Sequence, residues 1–352
     1  MKIPLLLWLV LLTTSTAYAH TPSQIDAIVF DEMARQDIVG LSVGIVKNGR
    51  IYYTKGYGHE DLQRTKPITT KTIFRWASVS KALTATAVLK LAEENPHFTI
   101  NDRVTEHVDY WPRYGNKGDI RIRHLLSHRS GIIHYRTKDG CFYNPYPDYS
   151  LERHRSWYYN ARQGVEVFRD QDLCFYPDTD FKYSTFGYSL LGAVIECVSR
   201  KSYEAWIGDN IREPLGMTSL RQATGRRTGF DRARGHVIPI FDGNVAWRLP
   251  GGGWESNIVD LAKFANALIQ GRLLKNKARL WSTVPGNHLY GYGMMHAYNN
   301  NLVWHEGSHI NNRASLTLFP KSDVQLGIVV LTNSAHSRPE QLVYRLASLF
   351  LR

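Results

Sequence analysis

Strand-like runs lie near the two ends of this 352-residue chain and are missing from its middle, and that distribution restricts the folds open to it. Toward the N-terminus, Leu41-Ser-Val-Gly-Ile-Val-Lys and Arg50-Ile-Tyr-Tyr-Thr-Lys-Gly-Tyr flank Asn48-Gly49, the dipeptide that most favours a two-residue hairpin. Toward the C-terminus, Tyr292 to Tyr298, Asn301 to His305, Ala314 to Phe319 and Val324 to Leu331 have strand character. Helical patterns flank both groups: Ser23 to Arg35 spaces Ile25, Ile28, Val29 and Met33 along one face, and Pro339 to Leu351 closes the chain. From about Asn101 to about Gly286 the pattern is mostly helical, with long irregular connections. The expected fold is α/β (α+β): an antiparallel sheet built from both chain ends, flanked by the terminal helices, with an inserted helical lobe. The α/β lobe would take residues 20–100 plus 287–352 and the helical lobe 101–286, with a cleft between them as the place for a site.

Residues Met1 to Ala19 stand outside that scheme. One lysine, an apolar run from Ile3 to Leu12 and the small-x-small triplet Ala17-Tyr18-Ala19 form a signal-peptide pattern. Export to the periplasm or the medium is expected, with no transmembrane anchor in the mature chain, because no later run reaches membrane length. Disulfides persist in such compartments. Cys141 and Cys174 flank a Tyr/Pro/Arg-rich segment and are expected to pair, whereas Cys197, inside the apolar run Leu190 to Val198, is expected to stay buried as a thiol. Their spacing matches no zinc framework. A formal charge of +12 suits an anionic partner or serves solubility. No stretch interleaves basic and aromatic residues as a nucleic-acid module does, so that class is set aside.

Chemistry first shows in Phe74 to Leu91, a helical pattern entered through Ser78 with Lys81 three residues on. One helical turn brings the hydroxyl and the amine together. Serine is a poor nucleophile unless a base lies within hydrogen-bond reach, and lysine serves only while neutral. The flanks are apolar, with Ile73-Phe74 before and Ala82, Leu83, Ala85, Ala87, Val88 and Leu89 after, so Lys81 is expected in a buried helix where desolvation disfavours the ammonium.

Further along, Ile120 to Gly131 reads as a short helix closed by a glycine. It holds His124 and His128 four apart, but no carboxylate accompanies them, so capping and packing are expected rather than metal binding. Tyr135 to Pro177 has no clear period and is long enough to wall a cleft. Asp180 to Tyr188 leads into a helix expected over Ser189 to Arg200, and Ser256, after Gly251-Gly252-Gly253, is expected to cap a helix over Asn257 to Gln270.

Three fragments would line the cleft: Ser78-Val-Ser-Lys81, Tyr183-Ser-Thr185 and His305-Glu-Gly-Ser308. In this order they resemble the serine β-lactamase and penicillin-binding DD-peptidase superfamily, whose motifs are Ser-x-x-Lys, Tyr-x-Asn or Ser-x-Asn, and Lys-Thr-Gly or His-x-Gly. The Tyr and His forms are similar to the branch of class C β-lactamases, DD-carboxypeptidases (peptidase S12) and related esterases. Tyr183 to Tyr188 with the triple glycine also resembles the mitochondrial serine β-lactamase-like group, placed among peptidases. The resemblance implies Ser78 as acylated nucleophile, Lys81 as base and Tyr183 as proton relay, the last requiring cationic neighbours. It implies an oxyanion hole from the N–H groups of Ser78 and Ser308. His305 would orient Tyr183 or bind a substrate carboxylate, and Gly307 would let substrate lie against the strand. Thr185 stands where the family has an asparagine that meets the substrate amide, which puts β-lactam recognition in doubt but not acyl transfer.

Two other readings compete. His305-Glu306-Gly-Ser-His309 spells the zinc-protease pattern His-Glu-x-x-His, but that pattern works on a helix, and on the strand expected here the histidines would lie about 13 Å apart. A catalytically silent binder of cell-wall peptides is possible on the same fold, though the intact serine, lysine and tyrosine speak against it. No Gly-x-Ser-x-Gly run supports a Ser-His-Asp hydrolase. The expectation is a hydrolase without metal or organic cofactor, acting through a Ser78 acyl-enzyme on a D-amino-acid peptide, an ester or a β-lactam.

Overall fold

The computed structural model describes residues 22–134, 141, 160–223, 225, 227–233, 235–243, 245, 248–282, 284 and 289–351. The segment 1–19 and most of 135–177 therefore lie outside the described residues.

The strand-rich ends meet as expected. A six-stranded antiparallel sheet has the order β2-β1-β11-β10-β9-β8, where β1 is Gly40–Lys47, β2 Arg50–Gly58, β8 Met295–Ala297, β9 Leu302–His309, β10 Asn312–Phe319 and β11 Leu326–Thr332. Asn48 and Gly49 turn the first hairpin with φ of 51° and 73°, the left-handed pair that a two-residue turn needs. The seam between chain ends is β1 on β11, from Leu41 opposite Thr332 to Val46 opposite Gly327.

Every residue of β11 is buried, which is why it reads as an unbroken apolar run: helices cover both faces of the sheet. One face carries α1 (Pro22–Gln36) and, at the chain end, Pro339–Ala347, through Ile25, Val29, Val43, Ile328, Val330, Leu342 and Leu346. The other packs against a helix over Ile258–Gln270 through Phe264, Leu316 and Val329, and α2 (Ser80–Glu94) joins the same apolar core through Leu83. In chain order the remaining long helices are α3 (Thr185–Ser199), α4 (Ile258–Gln270) and α5 (Pro339–Ala347). A hydrogen-bonded trio straps α1 to β2, in which Tyr53, Tyr57 and Lys55 all donate to Asp26.

The middle of the chain differs from its sequence pattern in three ways. It contains a β-hairpin, β5 (Arg227–Ala233) with β6 (His236–Asp242). It also supplies β4 (Arg221–Gln222) and β7 (Trp254–Ser256), which pair with β3 (Phe74–Arg75) in a small sheet. Finally α4, drawn into the helical lobe on sequence, packs on the main sheet beside Val329.

Boundaries shift for local reasons. The helix expected over Ile120 to Gly131 is only Ile122–Leu126, capped by His124 Nδ1 accepting from the Arg121 N–H at 3.1 Å. The helix expected from Ser189 begins at Thr185, because the Ser184 side chain caps it by accepting from the Gly187 N–H. Asn257, not Ser256, caps α4, accepting from the Asp260 N–H. Ser256 Oγ is instead the acceptor for the Trp76 indole.

Candidate active site

Ser78 is the middle residue of a 3-10 turn, Ala77–Val79, that runs into α2. Ala77 holds φ at 46°, a conformation that costs an ordinary L-residue about 1–2 kcal/mol, so the surroundings must impose it. The Trp76 N–H donates to the Trp254 carbonyl at 2.8 Å, its indole N–H to Ser256 Oγ at 2.8 Å, and Asn312 Nδ2 to the Arg75 carbonyl at 2.8 Å. From β9, Gly307 approaches so closely that a Cβ there would lie 2.2 Å from the Trp76 carbonyl oxygen. Sequence reading assigned that glycine to substrate passage; what fills its Cβ space is the turn carrying Ser78. Ser78 itself remains part-exposed.

Lys81 is wholly buried. Its Nζ lies 3.3 Å from Ser78 Oγ, 3.1 Å from Thr185 Oγ1 and 2.6 Å from the Gly251 carbonyl oxygen. Among the described residues no carboxylate pairs with it. Burial, reinforced by the positive charge of Arg248, holds the amine well below the usual lysine range. A neutral amine has two N–H donors and one lone pair. The Gly251 carbonyl and the Thr185 hydroxyl are placed to take both donors of such an amine, which would turn its lone pair toward the Ser78 hydroxyl. Thr185 is 1% exposed, and its hydroxyl meets Lys81 in the same position where the family's asparagine is expected to meet the substrate amide.

Tyr183 precedes the α3 cap and is half-buried. Lys81 Nζ stands 4.7 Å from its ring centre, and the His128 and His134 rings pack on it at 4.3 and 5.6 Å. Both imidazoles accept through Nδ1, His128 from the Ser184 N–H at 3.1 Å and His134 from the Thr185 N–H at 3.2 Å. Their ring protons are thereby fixed on Nε2. Desolvation keeps His128 well below the ordinary histidine range and takes His134 down to about 3. The cationic neighbours expected for Tyr183 are thus not supplied by these rings. His128 performs the capping foreseen for it, but nothing in the local pattern marked His134.

On β9 the expected alternation holds, with His305 and Gly307 buried and Glu306 and Ser308 more open. His305 Nδ1 lies 2.8 Å from the Glu306 carbonyl and Nε2 lies 3.1 Å from the Tyr290 hydroxyl. Its ring centre is 6.3 Å from that of Tyr183. Tyr290, buried against His128 at 4.6 Å, was not foreseen from sequence. Ser308 follows the Gly307–Trp76 contact, so β9 and the Ser78 turn meet beside both expected oxyanion donors.

A serine and a buried lysine one turn apart, a tyrosine against the lysine and a histidine-glycine strand beside them are the motifs of the sequence brought together at one place. The family model described as Beta-lactamase matches residues 25–351. The chain belongs to the Beta-lactamase family. Protein flp of Staphylococcus aureus (strain MW2) is 28% identical over 331 residues, covering 88% of this chain and 62% of that relative. The human mitochondrial serine β-lactamase-like protein LACTB is 27% identical over 296 residues, 66% of this chain and 53% of its own. The chain thus spans little more than half to three-fifths of these curated relatives. The octameric penicillin-binding protein homologue of Pyrococcus abyssi superimposes with a TM-score of 0.75 at 27% identity, over 93% of this chain and 77% of that one.

Other expectations resolve against this family member's structure. The zinc-protease alternative loses its geometry: His305 to His309 is strand, with His305 opposite Leu316 and His309 opposite Asn312, not a helix face. The structure draws no S–S bond between Cys141 and Cys174. They lie side by side, the Cys174 sulfur 3.1 Å from the Cys141 carbonyl oxygen, and their pairing is a proposal. Cys197 is half-buried rather than fully so. Among the described residues no helix is long and apolar enough to cross a membrane. A cavity of about 420 Å³ between Asp61, Arg75, Arg227 and Phe241 includes none of Ser78, Lys81 and Tyr183 in its lining.

Proposed function

We propose that this family member is a serine hydrolase that forms an acyl-enzyme on Ser78 of a D-amino-acid peptide, an ester or a β-lactam. The carrying observation is the place of the buried Lys81 amine, 3.3 Å from Ser78 Oγ and without a carboxylate partner among the described residues. With its two N–H bonds given to Gly251 and Thr185, such an amine would direct its lone pair at the serine hydroxyl.

Ser78 Oγ attacks the carbonyl carbon of the substrate as its proton passes to Lys81 Nζ. The oxyanion develops beside the N–H groups of Ser78 and Ser308. Among the described residues no carboxylate stabilises the ammonium formed, so the proton moves on to the leaving nitrogen or oxygen, with the Tyr183 hydroxyl as relay. The carbonyl–leaving-group bond then breaks, and water repeats the sequence to release the acid and restore Ser78. The neutral rings around Tyr183 favour a relaying hydroxyl with Lys81 as the base. Signal-directed export remains part of the proposal, carried by Met1 to Ala19, and fits a peptidoglycan-derived substrate.

The test is active-site labelling. A fluorophosphonate or fluorescent penicillin should modify Ser78, located by peptide mass, and Ser78→Ala should abolish it. Labelling that persists in the variant rejects the assignment, and a folded wild type inert to every acyl donor supports the silent-binder alternative.

A further inference from the structure

The position of His305 suggests a carboxylate anchor, and the hydrogen bonds around it say otherwise. The Glu306 carbonyl, 2.8 Å from Nδ1, can only accept, so Nδ1 carries a proton. Nε2 faces the Tyr290 hydroxyl at 3.1 Å. Tyr188, also hydrogen-bonded to Tyr290, has its own proton committed to the Leu126 carbonyl at 2.8 Å. Two proton arrangements compete, the first of which leaves the Tyr188–Tyr290 contact without a proton. In one, Tyr290 donates to a bare Nε2 and His305 is neutral. In the other, an imidazolium donates to Tyr290, which donates to Tyr188.

The second arrangement places a full charge on a ring that is 1% exposed. The groups facing it are Lys81 of α2, His128 of the loop after Ile122–Leu126, Tyr183 and Tyr188 beside and within α3, Tyr290, and the Glu306 backbone, the Glu306 carboxylate pointing to the opposite face of β9. Among the described residues no carboxylate pairs with it. Burying an unpaired charge costs far more than one neutral hydrogen bond returns.

We propose that Tyr290 is a positioning residue that locks His305 as an uncharged imidazole, its Nε2 lone pair capped, so that the site offers no cation or free N–H there to a substrate carboxylate. Desolvation supports this by taking His305 down to about 3. The inference rests on the acyl-transfer reading and narrows it: the favoured leaving groups are amides and esters without a terminal carboxylate, and a free D-amino acid is disfavoured as leaving group.

Ring ¹⁵N NMR of histidine-labelled protein, with His305 assigned by comparison with His305→Gln, tests the lock without needing activity. The wild type should show a protonated Nδ1 and a hydrogen-bonded, unprotonated Nε2, unchanged from pH 5 to 8. Tyr290→Phe should shift the Nε2 resonance or admit the other tautomer. An imidazolium pattern in the wild type at pH 7, or identical shifts in Tyr290→Phe, overturns the proposal. A kinetic arm compares an acyl-D-alanyl-D-alanine amide with the same peptide ending in carboxylate. The carboxylate form should have a KM roughly tenfold higher, and Tyr290→Phe should narrow that gap; equal KM values in the wild type count against the lock. A merely structural tyrosine would change the folded fraction and leave the ratio alone. If neither peptide is turned over, the hydrolase reading is what fails, and the ¹⁵N pattern still decides the lock.

Discussion

Glu255 and Lys81 are both buried ionisable side chains, at 2% and 0% exposure, and the chain treats them in opposite ways. Glu255 on β7 accepts from Arg221 Nε at 2.9 Å and from Arg227 through both Nε and Nη2 at 3.1 and 2.7 Å, and it also faces the buried Arg75. Lys81 is given a carbonyl and two hydroxyls and, among the described residues, no counter-charge. The first arrangement preserves a charge in order to pin β3, β4, β5 and β7 together. The second removes one, leaving a basic lone pair beside a hydroxyl. A buried group denied its counter-ion is thus the better marker of chemistry than a buried group with several.

The contrast can be broken most sharply at Lys81. Lys81→Met should lower the rate of Ser78 labelling by on the order of 10³-fold or more while the protein remains folded by circular dichroism; near-normal labelling would mean that another group takes the serine proton. Next in size, Glu255→Ala should cost about 3 kcal/mol of stability in urea denaturation, since the Arg75 cation loses its nearby carboxylate. The folded fraction should keep a reactive serine, and a loss below 1 kcal/mol would reduce that network to a surface effect.

The pH dependence separates the two groups further. An amine neutral in the folded chain takes up a proton on unfolding, so its contribution to stability falls as pH drops below the unfolded lysine pKa near 10.4. It continues to fall until the depressed folded value is reached, at about 1.4 kcal/mol per pH unit. Denaturation between pH 7 and 9 should show that slope for the wild type relative to Lys81→Met; parallel curves would mean a lysine charged in the folded state. Smallest is Thr185→Val, which deletes the acceptor on Lys81 at nearly constant shape and should slow acylation about tenfold.

Legibility in the sequence followed the range of the interactions. The sheet from both chain ends was visible because β1, β9, β10 and β11 carry strand patterns of their own, and Ser78 with Lys81 because one helical turn couples them. The β5–β6 hairpin was not, since Arg227-Thr-Gly-Phe-Asp-Arg-Ala offers only Phe230 as a buried large apolar side chain. Thr185 could be matched to a family position but not aimed, because its partner lies 104 residues away. His134 and Tyr290 reach the site through loops without periodicity, and their meaning lies entirely in what they face. The cysteine pair was placed together by the segment the two residues flank, and they are neighbours.

The Gly307–Trp76 contact leaves the nucleophile and the front strand as one unyielding jaw, with no slack for even a methyl group between them. On the proposed acyl-transfer reading, room for larger acyl groups has to be found away from that edge, on the side of Tyr183 and the imidazoles behind it. Diversification of substrate choice on this scaffold would accordingly be written in residues 128–134 and 183–188, while the glycine stays fixed.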